Sequence, residues 1–198
     1  MTTIDSIYQE MQRIAPLALA ESWDNPGLLV DCGGGASRVL VTLDITPEVV
    51  EEAARKGCQL IVSHHPVIFS PLKKLSGQDV AFQLVKNGIS AICMHTNLDA
   101  ADGGVNDALA EKLGLLQTEY LTDEKIGRVG TLKCQIPLVE FTRFVVKSLG
   151  CNGLRYTNCG RPVHRVAVGG GACGEYIAQA IALGCDTFVT VSYTHLRA

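Results

Sequence analysis

Hydrophobic and polar positions change period along this chain, and each change marks an element. Ile4, Ile7, Met11 and Ile14 recur at helical spacing, Thr3 stands where a hydroxyl caps a first turn, and Pro16 forbids continuation, so a helix is predicted up to Pro16. Residues 38–44 carry a strand pattern. Thr46-Pro47-Glu48 then opens a helix with a capping hydroxyl, a ring-fixed first turn and an acid at the positive end, and Gly57 closes it. Leu60-Ile61-Val62 is apolar without helical period and is bounded by Gly57 and Pro66, the pattern of a buried strand. Residues 79–87 read as a helix closed by Gly88, residues 89–94 as a second buried strand, and residues 105–113 as a helix. Further on, residues 130–134 predict a strand and residues 139–149 a helix with Phe141, Val145 and Leu149 on one face. Strands alternating with helices indicate an α/β fold with mixed, mostly parallel sheets and right-handed crossovers.

The pattern repeats. Arg38-Val39-x-Val41 is echoed by Arg165-Val166-x-Val168, and at the same offset Glu48 falls on Glu175, Ala53 on Ala180, Gly57-Cys58 on Gly184-Cys185 and Val62-Ser63 on Val189-Thr190. This is the signature of a duplicated β-α-β unit. It divides the chain into a first half, residues 1–125, and a second, residues 126–198. Two similar halves are expected to face each other across a pseudo-two-fold axis, with a site between them.

Composition narrows the class. A chain of 198 residues, 47% hydrophobic and 19% charged, is an ordinary globular balance. A formal net charge of −3 with scattered Lys and Arg provides no basic field for a nucleic-acid backbone, so no nucleic-acid partner is expected. No apolar run approaches the ~20 residues that span a bilayer. Residues 1–10 have neither a basic start nor an apolar signal core, so a cytoplasmic protein is expected. The eight cysteines include no C-x-x-C pair and read as reduced, small core residues.

Candidate chemistry gathers at two strand ends. Ser63-His64-His65-Pro66 follows the first buried strand. Pro66 biases His65 toward extended backbone, in which successive side chains diverge, so the two imidazoles are expected to serve different ions rather than chelate one. His95-Thr96-Asn97-Leu98-Asp99-Ala100-Ala101-Asp102-Gly103-Gly104 follows the second. Parallel strands put both segments on one rim, where open α/β sheets bind ligands, so His64, His65, His95 and Asp99 or Asp102 can converge. Asp102, beside two glycines, is assigned to turn chemistry. Imidazole with carboxylate is a ligand set for zinc, manganese, iron or nickel, and divergent histidines suit a two-metal centre. The turn around the single tryptophan, Glu21-Ser22-Trp23-Asp24-Asn25-Pro26-Gly27, reads as a packed turn or as a pocket wall.

These stretches resemble a known family. Ser63-His64-His65-Pro66 with Phe69-x-Pro71-Leu72-Lys73, His95-Thr96-Asn97-Leu98-Asp99 with Gly103-Gly104-Val105-Asn106-Asp107, and Trp23-Asp24-Asn25-x-Gly27-Leu28 are similar to motifs of the Nif-three-like dinuclear metal proteins, also labelled GTP cyclohydrolase type 2 homologues. The resemblance spans residues 4–190. It implies two divalent metal ions, with His64, His65 and Asp99 as ligands and His95 lining the site, and a toroidal homohexamer. The implied activity is metal-dependent hydrolysis of a nucleotide or another phosphorylated small molecule, in which His95 positions substrate or shuttles a proton. The alternative is a noncatalytic, metal-binding ring with a regulatory or interaction role.

Two features stand apart from that reading. Gly169-Gly170-Gly171-Ala172-Cys173-Gly174 meets the G-x-G-x-x-G dinucleotide pattern, but Asp186 follows too soon to serve as the ribose acid; a tight strand-to-helix turn is expected, with backbone N–H groups able to hold a phosphate. From Val191 on, the resemblance breaks. The distal His and Glu by which the family completes its two-metal site have no counterpart, the flanks of His195 do not match, and a foreign or truncated tail is expected.

Overall fold

A computed structural model describes residues 1–191. It divides into two compact units, the first Met1–Ala101 and the second beginning at Asp102. The boundary falls earlier than the motif-based division at residue 125, because the helix and strand that follow Asp102 pack with the second sheet.

The first unit runs β1 (Thr2–Thr3), α1 (Ile4–Ile14), β2 (Gly27–Val30), β3 (Gly35–Ala36), β4 (Val39–Thr42), α2 (Pro47–Arg55), β5 (Leu60–Ser63), α3 (Val80–Lys86), β6 (Ser90–Cys93) and α4 (Thr96–Ala100). The caps are those the sequence predicts: Thr3 Oγ1 accepts from Ser6 N–H at 3.1 Å and Thr46 Oγ1 from Val49 N–H at 3.3 Å. The sheet order is β2-β6-β5-β4, with β4, β5 and β6 parallel and β2 antiparallel to β6. At β5 and β6 both faces are covered. Ile61 and Ala91 pack with Val50, Ala53 and Leu84 of α2 and α3, whereas Leu60 and Ile92 pack with Ile4, Ala15 and Met94 on the other face. Burial on both sides explains why β5 and β6 read as continuous apolar runs instead of alternating ones.

The second unit runs α5 (Val105–Lys112), β7 (Leu116–Tyr120), β8 (Arg128–Ile136), α6 (Leu138–Leu149), β9 (Val163–Gly169), α7 (Ile177–Ala182) and β10 (Thr187–Thr190). Its sheet order is β10-β9-β8-β7, with β10 parallel to β9 and the other pairings antiparallel. The fold as a whole is mixed α/β, and its mostly parallel sheet is that of the first unit.

The repeat holds down to individual bonds. β4 pairs with β5 through Val39↔Leu60, and β9 with β10 through the corresponding Val166↔Thr187. Arg38 Nη1 donates to the Lys56 carbonyl at 2.8 Å, and Arg165 Nε donates to the corresponding Leu183 carbonyl at 2.8 Å. The Gln59 side chain accepts from Arg38 N–H, and Asp186, its counterpart, accepts from Arg165 N–H. Gly57 and Gly184 both take positive φ where helix turns into strand, a backbone state that disfavours any side chain.

The Gly-rich stretch forms the expected strand-to-helix turn, and two of its donors are already used. Gly170 N–H donates to Asn106 Oδ1 at 2.8 Å and Cys173 N–H to Thr190 Oγ1 at 3.2 Å. All eight cysteines are free thiols, but only Cys93 and Cys173 are buried, while Cys134 and Cys159 are exposed. The expectation of eight core cysteines is corrected on this point: apolar neighbours in sequence do not place a residue on the inner face of its strand or loop. Burial pushes the Cys93 thiol up to about 12, leaving it inert as a nucleophile. Among the described residues no helix is long and apolar enough to cross a membrane.

Candidate functional site

The carboxyl ends of β5 and β6 place His64 and His95 on one rim of the first sheet. β5 stops at Ser63, whose hydroxyl donates to the His65 carbonyl at 2.8 Å and bends the chain. His64 and His65 therefore lie beyond the strand, and the alternation that would separate them does not apply. Their rings stand 5.1 Å apart, and His95 lies 5.1 Å from His64 and 5.6 Å from His65 between ring centroids. One ligating nitrogen from each of the three falls within 4.8 Å of the others, so this group can bind a metal ion. The expected divergence of the adjacent pair is thus corrected: they converge.

Each imidazole is oriented through Nδ1. That of His64 donates to the Met94 carbonyl at 2.9 Å, that of His65 to Asp44 Oδ1 at 2.7 Å and that of His95 to Asp24 Oδ1 at 2.7 Å. With Nδ1 as donor, Nε2 carries the lone pair, which is the tautomer a metal-binding histidine needs. Asp99, on α4, brings Oδ1 to 3.7 Å from His64 Nε2. Asp102 belongs to the second unit, where its carboxylate accepts from the Tyr120 hydroxyl.

The electrostatics favour an ion here. Burial lowers the His64 pKa against the opposing pull of Asp99, keeping the ring neutral and available as a ligand. Burial raises the pKa of Asp99, partly offset by His64 and His95, so this carboxylate lacks the solvation that would otherwise hold its charge. A cation bound among these imidazoles would restore it. The donor set thus fits a borderline divalent metal.

Asp24 is the best-anchored group of the site. Its side chain is fully buried, and it accepts from Thr96 N–H and Oγ1, Asn25 N–H and His95. Burial opposes its ionisation, but these hydrogen bonds outweigh that and hold its carboxyl below the usual range. Its role as the His95 orienter, and that of Asp44 for His65, escape a reading of the sequence. The one usable signal is position, since Asp44 leaves β4 at the same rim. His195 lies outside the described residues.

The chain is similar to known proteins in sequence and in fold. A family model described as Duf34/NIF3 (NGG1p interacting factor 3) matches residues 2–198. The chain is 31% identical over 204 residues to a GTP cyclohydrolase 1 type 2 homolog from Clostridium perfringens, covering 97% of this chain and 78% of that protein. Its fold superposes on a Bacillus cereus protein related to NIF3 with a TM-score of 0.89 at 24% identity, over 98% of this chain and 83% of the other. A Staphylococcus aureus protein of known structure gives a TM-score of 0.87 at 28% identity, over 96% and 78% of the two chains.

Proposed function

Because this chain belongs to the Duf34/NIF3 family, we propose that it is a metal-dependent hydrolase with a dinuclear centre acting on a nucleotide or another phosphorylated small molecule. The observation that carries the reading is the convergence of three imidazoles, each with Nδ1 engaged by an oxygen and Nε2 left for a ligand. His64, His65 and Asp99 are the proposed ligands. A divalent ion held by them would lower the pKa of a water bound to it and so would supply a nucleophile near neutral pH. His95, held by Asp24, positions the substrate and accepts or returns a proton through Nε2. The cyclohydrolase name carried by relatives fits attack of water on a ring of the substrate. The protein is further proposed to act in the cytoplasm as a homohexamer.

Metal content by elemental mass spectrometry, on protein purified without chelator, tests the reading together with turnover on a nucleotide panel. About one to two ions per chain are expected, falling at least tenfold in His64→Ala/His65→Ala together with turnover. Metal bound without turnover on any nucleotide supports the noncatalytic metal-binding ring. A chain that binds no zinc, manganese, iron or nickel overturns the proposal.

A further inference from the structure

Two large aromatic rings beside the histidines stand in solvent. Trp23 is 58% exposed and Phe69 is 52% exposed. Leaving such rings unburied forgoes a large apolar gain, so their placement needs a cause. The backbone under both is tied down. Trp23 adjoins the buried Asp24, and Asn25 Nδ2 donates to the Ile68 carbonyl at 2.6 Å, fastening the turn of Trp23 to the residue before Phe69. The Trp23 and Phe69 rings meet at 6.1 Å with a 47° tilt, and Trp23 meets His95 edge-on at 6.2 Å and 79°. His95 continues to His64 and His65, so one row of rings runs from Phe69 to the three imidazoles.

We propose that Trp23 and Phe69 form a stacking wall that holds a planar heteroaromatic ring of nucleobase type with its edge toward His95. The inference takes its chemistry from the metal-hydrolase reading, while binding to the wall does not require metal. The spacing of Trp23 and His95 is comparable to the length of a bicyclic heterocycle, so a base stacked on the wall extends toward the imidazoles. A sugar or a peptide lacks the flat π-face such a wall rewards, whereas every nucleobase presents one. Trp23 and Phe69 are thus positioning residues that select for the ring.

The single tryptophan makes the wall its own reporter. Its fluorescence is titrated with guanosine 5′-monophosphate and with ribose 5-phosphate, on the parent protein, on Phe69→Ala, on Phe69→Tyr and on His64→Ala/His65→Ala. Saturable quenching by the nucleotide and none by the sugar phosphate is expected. Affinity should fall about tenfold in Phe69→Ala, stay near the parent value in Phe69→Tyr, and survive in the double histidine variant. Equal quenching by ribose 5-phosphate, absent saturation, or unchanged affinity in a folded Phe69→Ala overturns the wall. Metal and turnover without quenching removes the wall alone. Quenching without metal or turnover removes the hydrolase reading and leaves the wall standing.

Discussion

At the scale of single residues, Asp24 couples stability to the site. Removing its carboxylate leaves the N–H groups of Thr96 and Asn25 and the Nδ1 donor of His95 without their acceptor in a buried place. Asp24→Ala is expected to cost about 3 kcal/mol of unfolding free energy, read from urea denaturation. Asp24→Asn keeps the shape, so its main effect is on His95 orientation, and metal affinity measured by competition with a chelating dye should drop about tenfold or more. A fully stable Asp24→Ala protein would show that the carboxylate is not the anchor described. The sequence makes the imidazoles conspicuous, because packing alone seldom requires two adjacent histidines at the end of an apolar run. It holds no comparable sign for Asp24 or Asp44, since aspartates in turns are common and their partners are remote in the chain.

At the scale of elements, α3 shows how far a hydrophobic pattern reaches. Leu84 is fully buried and joins the cluster formed by Val50, Ala53, Ile61 and Ala91, which covers the face of the first sheet under β5 and β6. Leu84→Ala should lower stability by about 3 kcal/mol, and because it lies away from the histidines it should leave metal content per folded chain unchanged. Elemental analysis of the folded fraction beside a denaturation curve checks both. Element positions are largely legible: caps, prolines and closing glycines act within a turn, and they mark α1, α2 and β5 correctly to within a residue or two. The short helix α4 is not. Residues 95–104 show no helical stripe in sequence because their polar side chains serve separate partners: Thr96 donates to Asp24, Asn97 to the Ala15 carbonyl, and Asp102 accepts from Tyr120. Nor does the sequence show that Ile14, though in phase with the α1 stripe, stays half exposed.

At the scale of the molecule, acid stability in the second unit draws on the Arg128–Asp107 ion pair. Arg128 is buried, donates to both oxygens of Asp107, at 2.5 and 3.0 Å, and lies over the Tyr120 ring. Burial works against the Asp107 charge, but the bonds from Arg128 and Gly103 N–H outweigh it and hold the carboxyl below its ordinary 3.8. A folded pKa below the unfolded one adds stability that is present above 3.8 and lost as pH falls through the folded value. Asp107→Asn should therefore be less stable by about 3 kcal/mol at neutral pH, and the gap should narrow below pH 3.8 as the parent loses the charge. Denaturation midpoints of both proteins between neutral and acid pH test this; a constant gap would show that the pair does not titrate with folding.

By itself the sequence determined α1, α2, α3, α5 and α6, the buried strands β5 and β6, both histidine-bearing motifs and the internal repeat, because each is written in spacing, capping and side-chain type over short stretches. The repeat extends even to Arg38 and Arg165, whose equivalent carbonyl bonds follow from equivalent turns. Only the tertiary structure decided that His64 and His65 converge on His95, that Asp44 and Asp24 orient two of those rings, and that Trp23 and Phe69 meet in solvent beside them. The reason is physical: these contacts join segments distant in the chain, and their geometry is set by where β5 ends and by hydrogen bonds that close across loops. Neither propensity nor period encodes such bonds.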